Sequence, residues 1–196
     1  TVNVKKLVAA GKFPSNGILY VAGYNSGKGT RLKGFQISNG AELPQDLSIV
    51  SPDAVYVKGD FNTDQPKNAA VIADAVNLLS NDWNNSKVPG VLPEASDTSY
   101  NIAVYTGDTK ATEDSMNGGP HNLVRFHENW RNKKCDISGS MVCGAHSRKA
   151  MGQFKVGGDY YKPPIRNWSF NEDFSQLENQ PPGTPQYVSL DNVVSW

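Results

Sequence analysis

Asp60, Asn62 and Asp64 place oxygen-bearing side chains at alternate positions of Asp60-Phe61-Asn62-Thr63-Asp64. That spacing can wrap a hard cation such as calcium, which is held by carboxylate and carbonyl oxygens. An EF-hand loop would continue with Gly at its sixth position and Glu at its twelfth. This chain has Gln65 and Val71 there. Two readings stand: a calcium site of another kind on Asp60, Asn62 and Asp64, or a polar turn in which Asp60 and Asn62 bond their own backbone. The turn is the simpler reading, because it needs nothing beyond the chain itself. Calcium is the one cofactor the sequence suggests.

Other reactive residues do not complete a pattern. Gly23-Tyr24-Asn25-Ser26-Gly27-Lys28-Gly29-Thr30 has three residues between its first two glycines and Gly29 after Lys28. A phosphate-binding loop needs four, with Ser or Thr directly after the Lys. The histidines are His121, His127 and His146. The first two are six residues apart, so on a helix they would point in different directions and cannot form a metalloprotease face. Cys135, Cys143 and His146 do not have the close pair spacing of a structural zinc site. No Gly-x-Ser-x-Gly elbow is present, and Ser138-Gly139-Ser140 has no assigned base. Spacing alone selects no acidic pair for glycoside hydrolysis among 19 acidic residues. The expectation is that the chain is not an enzyme.

The elements that must position these residues read as mainly β. Runs rich in β-branched and aromatic residues lie at 18–21, 35–37, 47–50, 54–57, 102–105 and 187–190, bounded by turn residues such as Asn16-Gly17, Ser51-Pro52-Asp53 and Thr106-Gly107-Asp108. Residues 69–83 fit either a helix, through Ile72, Val76, Leu79 and Trp83, or buried strand, which is the preferred reading. Pro120 followed by Leu123, Phe126, His127 and Trp130 predicts one short helix over 120–131. From residue 157 the chain is rich in proline and aromatics. Residues 157–185 are expected to lie extended on the domain, anchored by Tyr160, Tyr161, Trp168, Phe170 and Phe174. Residues 1–196 read as a single β-rich domain, built as a short β-solenoid or an irregular β-sandwich.

Composition narrows the function classes. The 19 basic residues balance 19 acidic ones, which argues against a nucleic-acid partner. No run of 18 apolar residues exists, so no membrane span is expected. Charged residues make up 19% of the chain, below the typical ~25%. With 18 glycines and 12 prolines, this is a turn-rich make-up that points to an extracellular or cell-surface location. The opening residues show no signal-peptide pattern, and Thr1 suits a processed or excised chain.

Six segments in order resemble a family of largely uncharacterised bacterial envelope proteins. They are residues 38–63 (SNGAELPQDLSIVSPDAVYVKGDFNT), 69–83, 117–130, 138–142 (SGSMV), 163–174 (PPIRNWSFNEDF) and 181–185 (PPGTP). Members of that family are associated with type IV pilus assembly as minor-pilin-like (PilX-type) proteins. The resemblance implies a C-terminal extracellular β domain and no catalytic residues. It makes a pilin-like chain, or copies of this chain, the expected partner. The hydrophobic helix of a prepilin is not among these residues.

The expected function is therefore that of an extracellular structural subunit or domain of a pilus-like or other surface filament, acting through protein–protein contacts. The alternative is a carbohydrate-binding surface adhesin using the tail aromatics, and the third is a cryptic hydrolase. An extracellular setting favours a disulfide between Cys135 and Cys143. In one straight strand their Cα atoms would be about 26 Å apart, whereas a disulfide needs them within ~7 Å. The bond thus requires the chain to reverse, and Ser138-Gly139-Ser140 is the place for that turn.

Overall fold

The computed structural model describes residues 1–23, 34–86, 92–110, 113, 123–151 and 161–185. Nine strands form one sheet: β1 (Val2–Asn3), β2 (Ile18–Tyr20), β3 (Gly34–Glu42), β4 (Leu47–Asp64), β5 (Ala69–Leu79), β6 (Thr98–Asp108), β7 (Val124–Phe126), β8 (Lys134–His146) and β9 (Ile165–Phe170). Among the described residues every strand pairing is parallel. Among the described residues the sheet is not closed. No helix among the described residues is long and apolar enough to cross a membrane.

The long strands bend. A straight strand of 18 residues, the length of β4, would run about 60 Å, well beyond the usual strand. Instead β4 changes its register with β5 between Ser51 and Ala54, around Pro52, and its register with β3 around Gly59, which takes a φ of 74°. Pro52 sits at the bend, where its missing N–H interrupts no straight ladder. Asn39 performs the Gly59 turn one strand earlier, with a φ of 55°. Asparagine tolerates this left-handed region better than most side chains.

These bends sort the pairs into three columns. The first runs Ile18–Ser48–Ala70–Ala103–Ser140. The second runs Val2–Ile37–Val57–Leu78–Phe126. The third runs Gly40–Phe61–Tyr100–Ile137–Trp168. Alternate residues of all three columns are buried in one core, which includes Ile49, Val57, Val71, Leu78, Ile102, Phe126 and Ile137. Parallel neighbours need a long crossover, usually a helix; here the other two columns supply it.

Residues 69–79 are strand, as the preferred reading of that segment expected. The runs at 18–20, 35–37, 47–50, 54–57 and 102–105 are strand as well; 187–190 lie outside the described residues. The helix expected at 120–131 is corrected over its described part, 123–131. Val124–Phe126 form β7, with Val124 and Phe126 buried and Arg125 between them on the other face. Their pairing with Val76–Leu78 of β5 overrides a helical spacing that is equally present in the sequence. The α-helix among the described residues lies elsewhere: α1 (Val4–Ala9), whose first turn is capped by the Asn3 side chain accepting from the Lys6 N–H. Its Val4 is buried over the core.

Candidate functional site

The Asp60–Asp64 segment lies in the third column, where Asn62 and one oxygen of Asp60 hold neighbouring backbone. Asn62 is fully buried with a φ of 57°. Its Nδ2 donates to the carbonyls of Lys67 (2.7 Å) and Asn101 (2.9 Å), and its Oδ1 accepts from the Lys67 N–H at 2.8 Å. Asn101 returns a bond to the Asn62 carbonyl at 2.8 Å. Asp60 Oδ1 accepts from the Ser99 N–H at 2.9 Å, and Asp64 is exposed. The Asn62 side-chain oxygen that a cation at Asp60, Asn62 and Asp64 would use caps the turn to Lys67. Among the described residues, no group of three His, Cys, Asp or Glu side chains is placed to hold a metal.

Cys135 and Cys143 are free thiols, which corrects the expected disulfide. Ser138-Gly139-Ser140 does not reverse the chain. It continues β8 from the third column into the first, pairing with Asn101, Ile102 and Ala103 of β6. Cys135 is buried among the core residues, and burial pushes its thiol up to about 12. Cys143 is exposed.

A polar cluster marks the corner between the first and second columns. Asp53 is buried and accepts from the Gly23 N–H (2.7 Å) and Lys149 Nζ (2.5 Å). The Asp74 carboxylate accepts from the backbone amides of Arg148 (2.5 Å), Lys149 (2.9 Å) and Ala150 (2.8 Å). Arg125 donates to the Ala150 carbonyl (2.8 Å) and to Ser147 Oγ (2.9 Å), and burial lowers its pKa. His146 Nδ1 lies 2.6 Å from Asp108 Oδ1. These contacts clamp residues 146–150 over the corner. Carboxylates bound to backbone amides and cations in this way hold a loop and do not present a general base.

His127 faces outward from the second column, with Nε2 2.8 Å from Asn77 Oδ1 and its ring 5.7 Å from that of Tyr56. Its neighbour Glu128 is fully buried, accepting from the Ser80 N–H (2.8 Å) and Oγ (2.5 Å). His121 and most of the Gly23–Thr30 loop lie outside the described residues. Among the tail aromatics, Tyr161 and Trp168 pack on the core and Phe174 is buried. Phe170 is exposed, and Tyr160 lies outside the described residues.

The last strands leave an open end. Among the described residues, residues 140–146 of β8 in the first column pair with β6 on one side only, and β9 in the third column pairs only with β8. Between them is a cleft of about 380 Å³ lined by Ile137, Met141, Trp168 and Phe170. No family model, characterised protein or solved structure matches this chain.

A second cavity, also about 380 Å³, lies at the corner between the second and third columns and includes Lys5, Gln36, Lys58, Asp60, Asn81 and Asn85. Sequence reasoning reached Asp60 alone among these six. They are scattered over 81 positions, from residue 5 to residue 85. Only the parallel register, which sets Ser38 beside Lys58 and Asp60 near Ser99, brings them together.

Proposed function

We propose that this chain is an extracellular structural subunit or domain of a pilus-like or other surface filament, and that its three columns are the faces of a short β-solenoid. The observation that carries the reading is the open end. A strand edge that no described residue pairs with, over an apolar cleft, is a template for another strand. At the opposite end of the first column, β2 pairs with β4 on one side only among the described residues and exposes Ile18 and Tyr20. Both ends of that column therefore carry a free edge of the same parallel direction. A second copy, moved along the column, sets its β2 against residues 140–146 of β8. That contact is head-to-tail, and repeated it generates a filament.

Met141→Lys tests this by placing a charge in the cleft at the open end. The unaltered chain at high concentration should form end-to-end oligomers in sedimentation and filaments in electron micrographs, through an interface of at least ~1,000 Å². The variant should stay monomeric. An unaltered chain that remains monomeric at every concentration overturns the self-assembly reading; a pilin-like chain bound at the same end would move the contact to that partner.

A further inference from the structure

We propose that the cavity at the second corner binds a carboxylate-bearing sugar. Its volume lies in the range of small-molecule sites. Its lining departs from the usual apolar pocket, because Ala41 is the one apolar side chain in it. A wall of amides, hydroxyls and ammonium groups suits a ligand covered in oxygen.

The donors are unbalanced in a way that selects for negative charge. Trp83 Nε1 donates to Asn85 Oδ1 at 2.8 Å, and Asn85 Nδ2 donates to Gln36 Oε1 at 3.0 Å. Thr1 Oγ1 is 3.3 Å from the same Gln36 oxygen. The relay consumes the Gln36 acceptor and leaves its Nε2 as a donor without an acceptor among the described residues. The Lys5 and Lys58 ammonium groups have no ion-pair partner there either. Asp60 is the single carboxylate of the lining, so two cations face one anion. Asp60 Oδ1 holds the Ser99 amide, and its second oxygen suits a sugar hydroxyl. The walls are fixed in advance. Asn81 accepts from the Asp60 N–H (3.0 Å) and donates to the Asp97 carbonyl (3.2 Å). Gly59 turns so tightly against it that a Cβ would lie 2.8 Å from Asn81 Oδ1. A wall fixed in this way lowers the ordering penalty of binding.

Titration of the isotope-labelled chain with galacturonate, galactose and inorganic phosphate, at neutral pH and low salt, tests the proposal. Galacturonate should shift the side-chain amide resonances of Gln36 and Asn85 saturably. Galactose should bind at least about tenfold more weakly, and Lys58→Gln or Lys5→Gln should weaken galacturonate by about tenfold each. Variants with an unchanged circular dichroism spectrum report binding rather than folding. Galactose binding as tightly as galacturonate, phosphate displacing galacturonate at equal concentration, or no saturable shift overturns the proposal. Filament formation is read separately and does not depend on it.

Discussion

Asn62 and Asn101 exchange side-chain hydrogen bonds across neighbouring strands, each Nδ2 donating to the other's backbone carbonyl at 2.9 and 2.8 Å. The pair ties β4 to β6 at a point where β4 is turning, and the buried Asn62 also caps the turn to Lys67. Replacing Asn62 with Ala leaves the Lys67 amide and carbonyl unsatisfied and retains the left-handed φ. It should destabilise the chain by about 2–4 kcal/mol in urea unfolding. Asn101→Ala removes one bond and should cost about 1 kcal/mol.

The two thiols should differ sharply in reactivity. Cys143 should alkylate without reductant under native conditions, while Cys135 should react only on unfolding. Both cysteines resisting alkylation until reduced would restore the disulfide. The raised Cys135 pKa also sets a direction with pH. Between about 9, unfolded, and about 12, folded, the native state holds the proton more firmly. Stability is therefore fully present below pH 9 and falls as pH rises toward 12. Tyr100, raised well above its usual value by burial, adds to the fall. Cys135→Ala should flatten the alkaline limb of a stability–pH curve.

Gly139→Ala should be among the most damaging single changes. A Cβ at residue 139 would lie 1.9 Å from the Ile102 carbonyl oxygen, and that oxygen belongs to backbone that cannot step aside. A loss of about 3 kcal/mol or more is expected, measured by thermal or urea unfolding. Ser138→Ala, at a half-buried neighbouring position, is the control and should change stability by less than about 1 kcal/mol.

Asp53 and Lys149 should respond unequally to truncation. The Asp53 side chain is 4% exposed and the Lys149 side chain 45%. Lys149→Ala leaves Asp53 with the Gly23 amide, and Asp53→Ala leaves that amide without its acceptor. Asp53→Ala should cost about 2–3 kcal/mol and Lys149→Ala about 1 kcal/mol. A double-mutant cycle measures the coupling between them.

Strand positions were legible in the sequence. Val55 and Val57, Val71 and Ala73, Ile102 and Val104 alternate with outward residues between turn signals, and a period of two marks a strand whatever it later pairs with. The candidate site was legible only at Asp60. Lys5, Gln36 and Asn85 carry no local signal, because each is an ordinary polar residue until its neighbours arrive.

Tertiary structure decided what local spacing leaves degenerate. Val124 to Trp130 satisfies a helical period and a strand period alike, and the hydrogen-bonding groups of β5 selected strand at Val124–Phe126. Ser138-Gly139-Ser140 has the composition of a turn, yet Gly139 is needed because the Ile102 carbonyl occupies the space of a side chain. Asp60, Asn62 and Asp64 have the spacing of a cation loop, yet Asn101 lies 39 residues away and claims the Asn62 amide. In each case the deciding group is distant in the chain and is brought near by parallel register. A local pattern sets which conformations a segment can adopt, and the partner supplied by another part of the chain sets which one it keeps.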